Sequence, residues 1–415
     1  MIQLSRLIAT CLLFQLLGCG YGNINLNHIL VRSDYITSQE QADQILARAH
    51  KGWTSDGNIR VLYVQGTAYE RGYQHGVLLR DQVRDNLLTL YRRARAKFLS
   101  EEIFAEAFER VRPYIPQEYI DEMHGLAHGA ELPLHIIHHI HALPAITEWG
   151  GKKRIKRLVK QMVAGEKLGT SCSNIGAAAT STADGRLYAV RVLDWGLHRL
   201  SKLHEYPLIT VARPSQGHAF ANIGWVGFIG AVSGMNEQGI TLGEMGYGDP
   251  PNETLRGKPM PFLLRDVLQY ASNLGDVRRI LSQSPGTNSF AFVMTDGKSS
   301  ESEIYLKDRD RFEVFEAGEP LVDNRKSFPA FQNLVYGGHY DERMARVLGR
   351  HHGELSPELF MSSIIPEIAM KSNFQNVVYD PGKLVFWVNN ANGPKNRAAE
   401  QPYTFFDLAQ ALVSF

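Results

Sequence analysis

The sequence predicts an α+β fold with helices packed on antiparallel sheet in layers. Apolar residues recur at helical spacing before residue 170, and short alternating segments separated by turn signals replace them after it. Hydrophobic residues make up 44% of the 415-residue chain, enough for a large core, and a formal charge of +1 argues against a nucleic-acid surface.

Residues 1–18 read as a signal peptide. Arg6 supplies one positive charge, and the apolar run Leu7 to Phe14 is too short to span a bilayer. Leu16-Leu17-Gly18-Cys19 closes the leader and resembles the bacterial lipobox, in which cleavage precedes the cysteine and its thiol is lipidated. Residues 19–58 are then expected to be a lipidated N-terminus and linker, tethered to a membrane through Cys19 and flexible over Gly20 to Asn25. That anchor places the protein in a bacterial cell envelope, on the periplasmic side, at the outer membrane or at the cell surface.

Residues 59–171 form a mainly helical part. Ile59 to Val64 reads as a strand leading into Gly66-Thr67-Ala68-Tyr69-Glu70-Arg71-Gly72-Tyr73-Gln74-His75-Gly76, where Gly72 and Gly76 point to close helix packing. Val83, Leu87, Leu90, Tyr91, Ala94 and Phe98 define the buried stripe of a long helix, and further helices are expected over Phe104 to Val111, Glu118 to His128 and Leu134 to Leu143. His135, His138, His139 and His141 have a spacing that metals use. No carboxylate or cysteine completes the set nearby, so they read as packing or surface histidines. The basic run Lys152 to Lys160 reads as a solvated face.

Strands are expected over Asn174 to Thr180, Leu187 to Leu193, Leu208 to Arg213, Phe228 to Ser233, Ile240 to Glu244, Phe290 to Thr295, Glu303 to Leu306 and Arg311 to Phe315. Ala183-Asp184-Gly185, Asn236-Glu237-Gln238-Gly239 and Thr295-Asp296-Gly297 mark turns between them. Helices over Pro261 to Ala271 and Arg343 to His351 interrupt the strands.

The chain has three cysteines. Cys11 leaves with the leader and Cys19 takes lipid, so Cys172 remains as an unpaired thiol in an exported protein. Chemistry is a stronger reason for keeping it than packing. A reactive thiol needs a base and a charge that holds the base in place. A hairpin turning at Asp184-Gly185 sets Cys172 opposite Trp195 to Leu197 and leaves Asp194 within about 3 to 10 Å, the nearest carboxylate by this geometry. Strict alternation puts Arg191 on the other face from Asp194 unless the strand bulges. Glu244 either faces the pocket or is an edge-strand charge.

Ser171-Cys172-Ser173-Asn174, Ala183-Asp184-Gly185 and Arg191-x-x-Asp194-Trp195 resemble the nucleophile hairpin of N-terminal nucleophile (Ntn) cysteine hydrolases of the isopenicillin N acyltransferase (acyl-CoA:6-aminopenicillanic acid acyltransferase) family, relatives of the choloylglycine hydrolases. The Gly66 to Gly76 motif resembles the opening of the acyltransferase branch. Gly234-Met235-Asn236-Glu237-Gln238-Gly239 is similar to a turn that both groups share, and Asp323-Asn324 and Asp341 to Arg346 resemble later segments.

The resemblance implies an Ntn-hydrolase-like αββα sandwich of antiparallel sheets in which residues 59–171 are the propeptide or α chain and 172–415 the catalytic β chain. It implies self-cleavage between Ser171 and Cys172, with Cys172 as nucleophile and its freed α-amine as base. Asp194 and Arg191 would orient amine and sulfur, Asn324 would donate to the oxyanion, and Arg343 would hold the active-site carboxylate and backbone. The implied activity is that of an amide hydrolase or acyltransferase on a small N-acyl substrate through an acyl-thioester, with no cofactor and no metal. An ester or phospholipid hydrolase, or a lipoprotein that binds an acylated ligand without turnover, are the alternatives. Oligomeric state is not legible in the sequence.

Overall fold

The computed structural model describes residues 36, 38–98, 101–147, 171–196, 201–246, 254–319, 322–323, 326–327, 329–338 and 342–415. Two sheets face each other. The larger follows the order His50–Trp53, Arg60–Gly66, Pro207–Pro214, Phe220–Trp225, Gly234–Asn236, Ile240–Thr241, Phe290–Asp296, Glu301–Lys307, Phe312–Glu316, with Glu244–Gly246 also paired to Phe290–Asp296. The smaller follows Leu334–Gly337, Ser171–Ala179, Gly185–Asp194, Asn373–Asp380, Val385–Asn390, Thr404–Asp407. Pairing is antiparallel throughout both sheets except between Arg60–Gly66 and Pro207–Pro214.

Strand alternation then assigns each side chain to a layer. Val61, Ile209, Val211 and Ile223 point inward from the larger sheet and meet Ala189, Val377 and Phe386 from the smaller. Leu62, Val64, Phe292 and Met294 point the other way, onto the N-terminal helices and the helices Met260–Tyr270 and Leu274–Gln283. On the far side, Ile175, Val190, Val192 and Val378 pack against Val347, Leu348, Phe360 and Ile364. The result is the four-layered αββα sandwich expected from the sequence.

The Gly66 to Gly76 motif has a local physical account at nearly every position. Thr67 caps the helix Ala68–Leu78 in a capping box with Glu70, worth about 1 kcal/mol. Gln74 bridges Gln65 and the carbonyl of Ile45. Gly72 and Gly76 press on the helix Gln117–Ala130, where a Cβ on Gly72 would come within 2.0 Å of the Glu122 carbonyl. Arg71 and Arg265 flank the buried Glu122, each with a guanidinium nitrogen 3.1 Å from the same carboxylate oxygen. Burial pushes that carboxyl up, and the two arginines outweigh it, leaving it below its usual range.

Two expected strands differ. Phe228 to Ser233 is a loop, because buried side chains bind its backbone groups in place of a neighbouring strand. Ile240 to Glu244 is split at Leu242-Gly243 into two short strands. Gly243 lies against Asn174 and the Val293 carbonyl, which a Cβ there would approach to 2.8 and 2.7 Å. The turn Asn236 to Gly239 is held by Asn236, which accepts from Gln238 and Ile240 and donates to the carbonyls of Leu268 and Ala271.

Candidate active site

Cys172 is the second residue of the strand Ser171–Ala179 and pairs with Leu193. The expected partner, Trp195 to Leu197, lay two to four positions too far along. The reason is the turn, which spans 180–184 between the paired Ala179 and Gly185 and so lies earlier than the Asp184-Gly185 signal. The strand Gly185–Asp194 runs without interruption past Arg191, so alternation holds there. Arg191 shares the inner face with Cys172, and Asp194 shares the outer face with the helical layer.

Arg191 is 0% exposed. Its Nη2 donates to Glu244 Oε2 at 3.1 Å, its Nη1 donates to the carbonyls of Glu244 and Val192, and its Nε reaches the Val232 carbonyl at 3.4 Å. It also hydrogen-bonds the Cys172 sulfur. Burial works against this cation, but Cys172 and Glu244 outweigh it and keep the guanidinium charged. Burial also pushes Glu244 up, with Arg191 pulling it partway back. Glu244 is therefore the carboxylate on the thiol's own face. Asp194, expected as the nearest, lies across from Ser171 and on the opposite side of the sheet.

Asp194 accepts from Asn373 Nδ2 at 3.0 Å and from the Met370 amide at 3.1 Å. Burial pushes its carboxyl up to about 7 against those bonds. In the strand register it lies across from Ser171, next to the Ser171-Cys172 peptide. Burial likewise pushes the Cys172 thiol up to about 12, more than Arg191 lowers it. In the continuous chain the thiol is protonated.

Cys172 opens onto a cavity enclosing about 970 Å³ of space between atoms, its mouth included. Leu193, Trp195, Trp225, Phe228, Phe262 and Phe290 give it an apolar wall, while Glu244, His141 and Asn288 are polar groups on it. Small-molecule sites have this character, mostly apolar with a few fixed polar groups.

Arg343 is not brought to this cluster. Met344, Ala345, Val347 and Leu348 form the buried stripe of the helix Glu342–Arg350, which turns Arg343 to the exposed side, where it reaches the Glu367 carbonyl at 3.5 Å. Cys19 and Asn324 lie outside the described residues, as does the side chain of Ser171. His135 and His139 pack on each other and on Tyr91, His138 stacks on Phe108 and His141 bonds the Ile137 carbonyl, and among the described residues no group of three or more His, Cys, Asp and Glu could hold a metal. Sequence reading missed the Arg191–Glu244 pair, whose partners stand 53 residues apart with no local pattern joining them.

Residues 182–311 match the model of the acyl-coenzyme A:6-aminopenicillanic acid acyl-transferase family. The resemblance seen in the sequence is to this family, and the matched stretch carries Arg191, Asp194, Glu244 and the Asn236 turn and begins ten residues after Cys172. The chain is 24% identical over 400 residues to protein dcd1B of Dictyostelium discoideum, covering 88% of this chain and 74% of that one. Protein dcd1A of the same organism is 22% identical over 313 residues, covering 68% and 66%. A solved Caenorhabditis elegans N-acylethanolamine-hydrolyzing acid amidase ortholog is similar at a TM-score of 0.38 and 14% identity, over 51% of this chain and 93% of that chain. A mutant conjugated bile acid hydrolase from Clostridium perfringens is similar at 0.36 and 14%, over 57% and 93%. The family match supports an amide hydrolase or acyltransferase.

A thiol pushed up to about 12 is almost wholly protonated at pH 8, so iodoacetamide should alkylate Cys172 in the native, uncleaved chain about a thousandfold more slowly than in the denatured chain. Peptide mapping by mass spectrometry reads the rate. Equal rates in the two states would contradict the buried, protonated thiol.

Proposed function

We propose that this protein is a self-cleaving cysteine-nucleophile amide hydrolase or acyltransferase acting on a small N-acyl substrate with an apolar acyl group. The observation that carries the reading is Cys172 itself, on the wall of an apolar cavity with the buried Arg191 guanidinium on its sulfur and the Ser171-Cys172 peptide beside Asp194.

In the first step the Cys172 sulfur attacks the Ser171 carbonyl carbon. The C–N bond breaks, the nitrogen takes a proton, and the chain is joined by a thioester. Water hydrolyses that thioester to a carboxylate on Ser171 and a free thiol, so Cys172 carries the α-amine released in the first step. The amine, with an ordinary pKa of about 8, is a base that the continuous chain lacks. Asp194 is placed to accept from that amine, and Arg191 to favour the thiolate. In turnover the sulfur attacks the substrate carbonyl, the leaving amine departs with a proton, and the acyl-thioester passes to water or to an acceptor amine. Asn324 would supply the oxyanion donor by resemblance. The apolar wall favours an uncharged acyl chain over a polar one.

The lipobox-like Leu16-Leu17-Gly18-Cys19 supports a lipid anchor on Cys19 and a place in a bacterial cell envelope. Among the described residues no helix is long and apolar enough to cross a membrane, so attachment would rest on that lipid.

Two measurements test these readings. Purified protein offered N-acyl amides with alkyl and aryl acyl groups should release the amine, and rapid quenching should show the acyl mass on the peptide that contains Cys172. Cys172→Ala should abolish both. Turnover that survives in folded Cys172→Ala would remove the mechanism, and hydrolysis confined to esters would favour the esterase alternative. For the anchor, wild type should enter the detergent phase in a phase-partitioning assay and Cys19→Ala the aqueous phase. Recovery of both in water would refute it.

A further inference from the structure

The loop between the strands Phe220–Trp225 and Gly234–Asn236 contributes Phe228, Gly230 and Val232 to the cavity wall. Much of its backbone is bound by buried side chains, all but Asn222 from distant elements. Asn86 donates to the Val226 carbonyl at 2.7 Å, the Gly227 amide donates to His75 Nε2 at 3.0 Å, and the Ile229 amide donates to His141 Nε2 at 3.2 Å. Arg265 donates to the Ile229 carbonyl, Asn222 to that of Gly230, and Arg191 to that of Val232. Three of the six holders belong to helices that precede Cys172 in the chain, and one is the arginine on the thiol.

The two imidazoles hold the loop as acceptors, which requires them neutral. His141 Nδ1 donates to the Ile137 carbonyl at 2.8 Å, which leaves the Nε2 lone pair for the Ile229 amide. Glu122 faces both rings, but Arg71 and Arg265 neutralise it, and burial pushes both imidazoles down to about 4. The loop has little freedom to shift. Gly227 has φ +89, and a Cβ there would come within 2.8 Å of Leu87. His141 lines the cavity, whereas His75 does not and reaches it through the loop, by way of the Gly227 amide.

We infer that His75 and His141 are positioning residues for the acyl pocket, holding the 226–232 loop by its amides so that Phe228, Gly230 and Val232 set which acyl chain fits. This rests on reading the cavity as the acyl site. It gives the N-terminal helical part a direct share in substrate choice.

His75 allows a clean test because it lies off the cavity. His75→Leu keeps the bulk but removes the acceptor, leaving the Gly227 amide unpaired, while His75→Gln offers a carbonyl oxygen in its place. Two readouts are compared: the ratio of KM values for a short and a long N-acyl amide, and binding of the fluorescent fatty acid cis-parinarate in a Cys172→Ala background, which needs no turnover. His75→Leu should change the KM ratio and weaken cis-parinarate by about tenfold each, with kcat within about twofold, and His75→Gln should recover both to within about threefold. A His75→Leu protein with a lowered melting temperature but an unchanged KM ratio and probe affinity would overturn the inference, as would His75→Gln behaving like His75→Leu. If the wild type turns over no amide yet cis-parinarate binding follows the His75 series, the pocket inference stands and the catalytic reading falls.

Discussion

A guanidinium with no contact with water must have its charge and its five N–H groups satisfied by protein, and at Arg191 that requirement ties the site together. Glu244 supplies the countercharge from the strand Glu244–Gly246, Val232 supplies a carbonyl from the pocket loop, and Cys172 supplies the sulfur. Removing Glu244 would leave a buried cation unpaired, a loss of about 3 to 5 kcal/mol for pairs of this kind. The same cost explains why the pieces stay in register. The nucleophile hairpin, the loop and the opposing sheet are fixed to one another by a charge that no single one of them can satisfy.

Behind that pair lies a second polar layer on the other side of the sheet. Asp194 is held by Asn373, whose amide is linked in turn to those of Asn376 and Asn389. Every residue of the strand Asn373–Asp380 is buried, including Asn373, Gln375 and Asn376. Asn373, Asn376 and Asn389 are tolerable there because they bond one another, and they fix Asp194 at one face of the Ser171-Cys172 peptide while Arg191 is fixed at the other.

These polar contacts mark the boundary of what the sequence makes legible. Helical stripes and alternating strands depend on neighbours a few residues away, so the helices around Val83 to Phe98 and the strands around Leu187 to Leu193 and Phe290 to Thr295 are readable, as is the layered fold. Phe228 to Ser233 alternates like a strand and is not one, because its partners are His141, Asn222, Arg265 and Arg191, which no local pattern announces. Asn373–Asp380 is not among the strands expected above, and its buried Asn373 and Asn376 likewise take partners that no local pattern announces. At the site, Cys172, Arg191 and Asp194 stand out by motif, while the two faces they occupy became clear only once the turn at 180–184 set the register. Arg343 was named by likeness to a segment, and its helix turns it outward.

The continuous chain is then a locked form: a thiol held protonated by burial, beside a cation that can stabilise its anion, while the two bases described on its cavity wall, Glu244 and His141, are already committed to Arg191 and to the Ile229 amide. Cutting the Ser171-Cys172 bond would create an uncommitted base on the nucleophile's own residue. Intact-mass measurement of the purified, active protein, with sequencing of any new N-terminus, tests this most directly. The account predicts two chains, the second starting at Cys172 and running through 415, and a single uncut chain for Cys172→Ala. A fully active wild type that remains one uncut chain would contradict it.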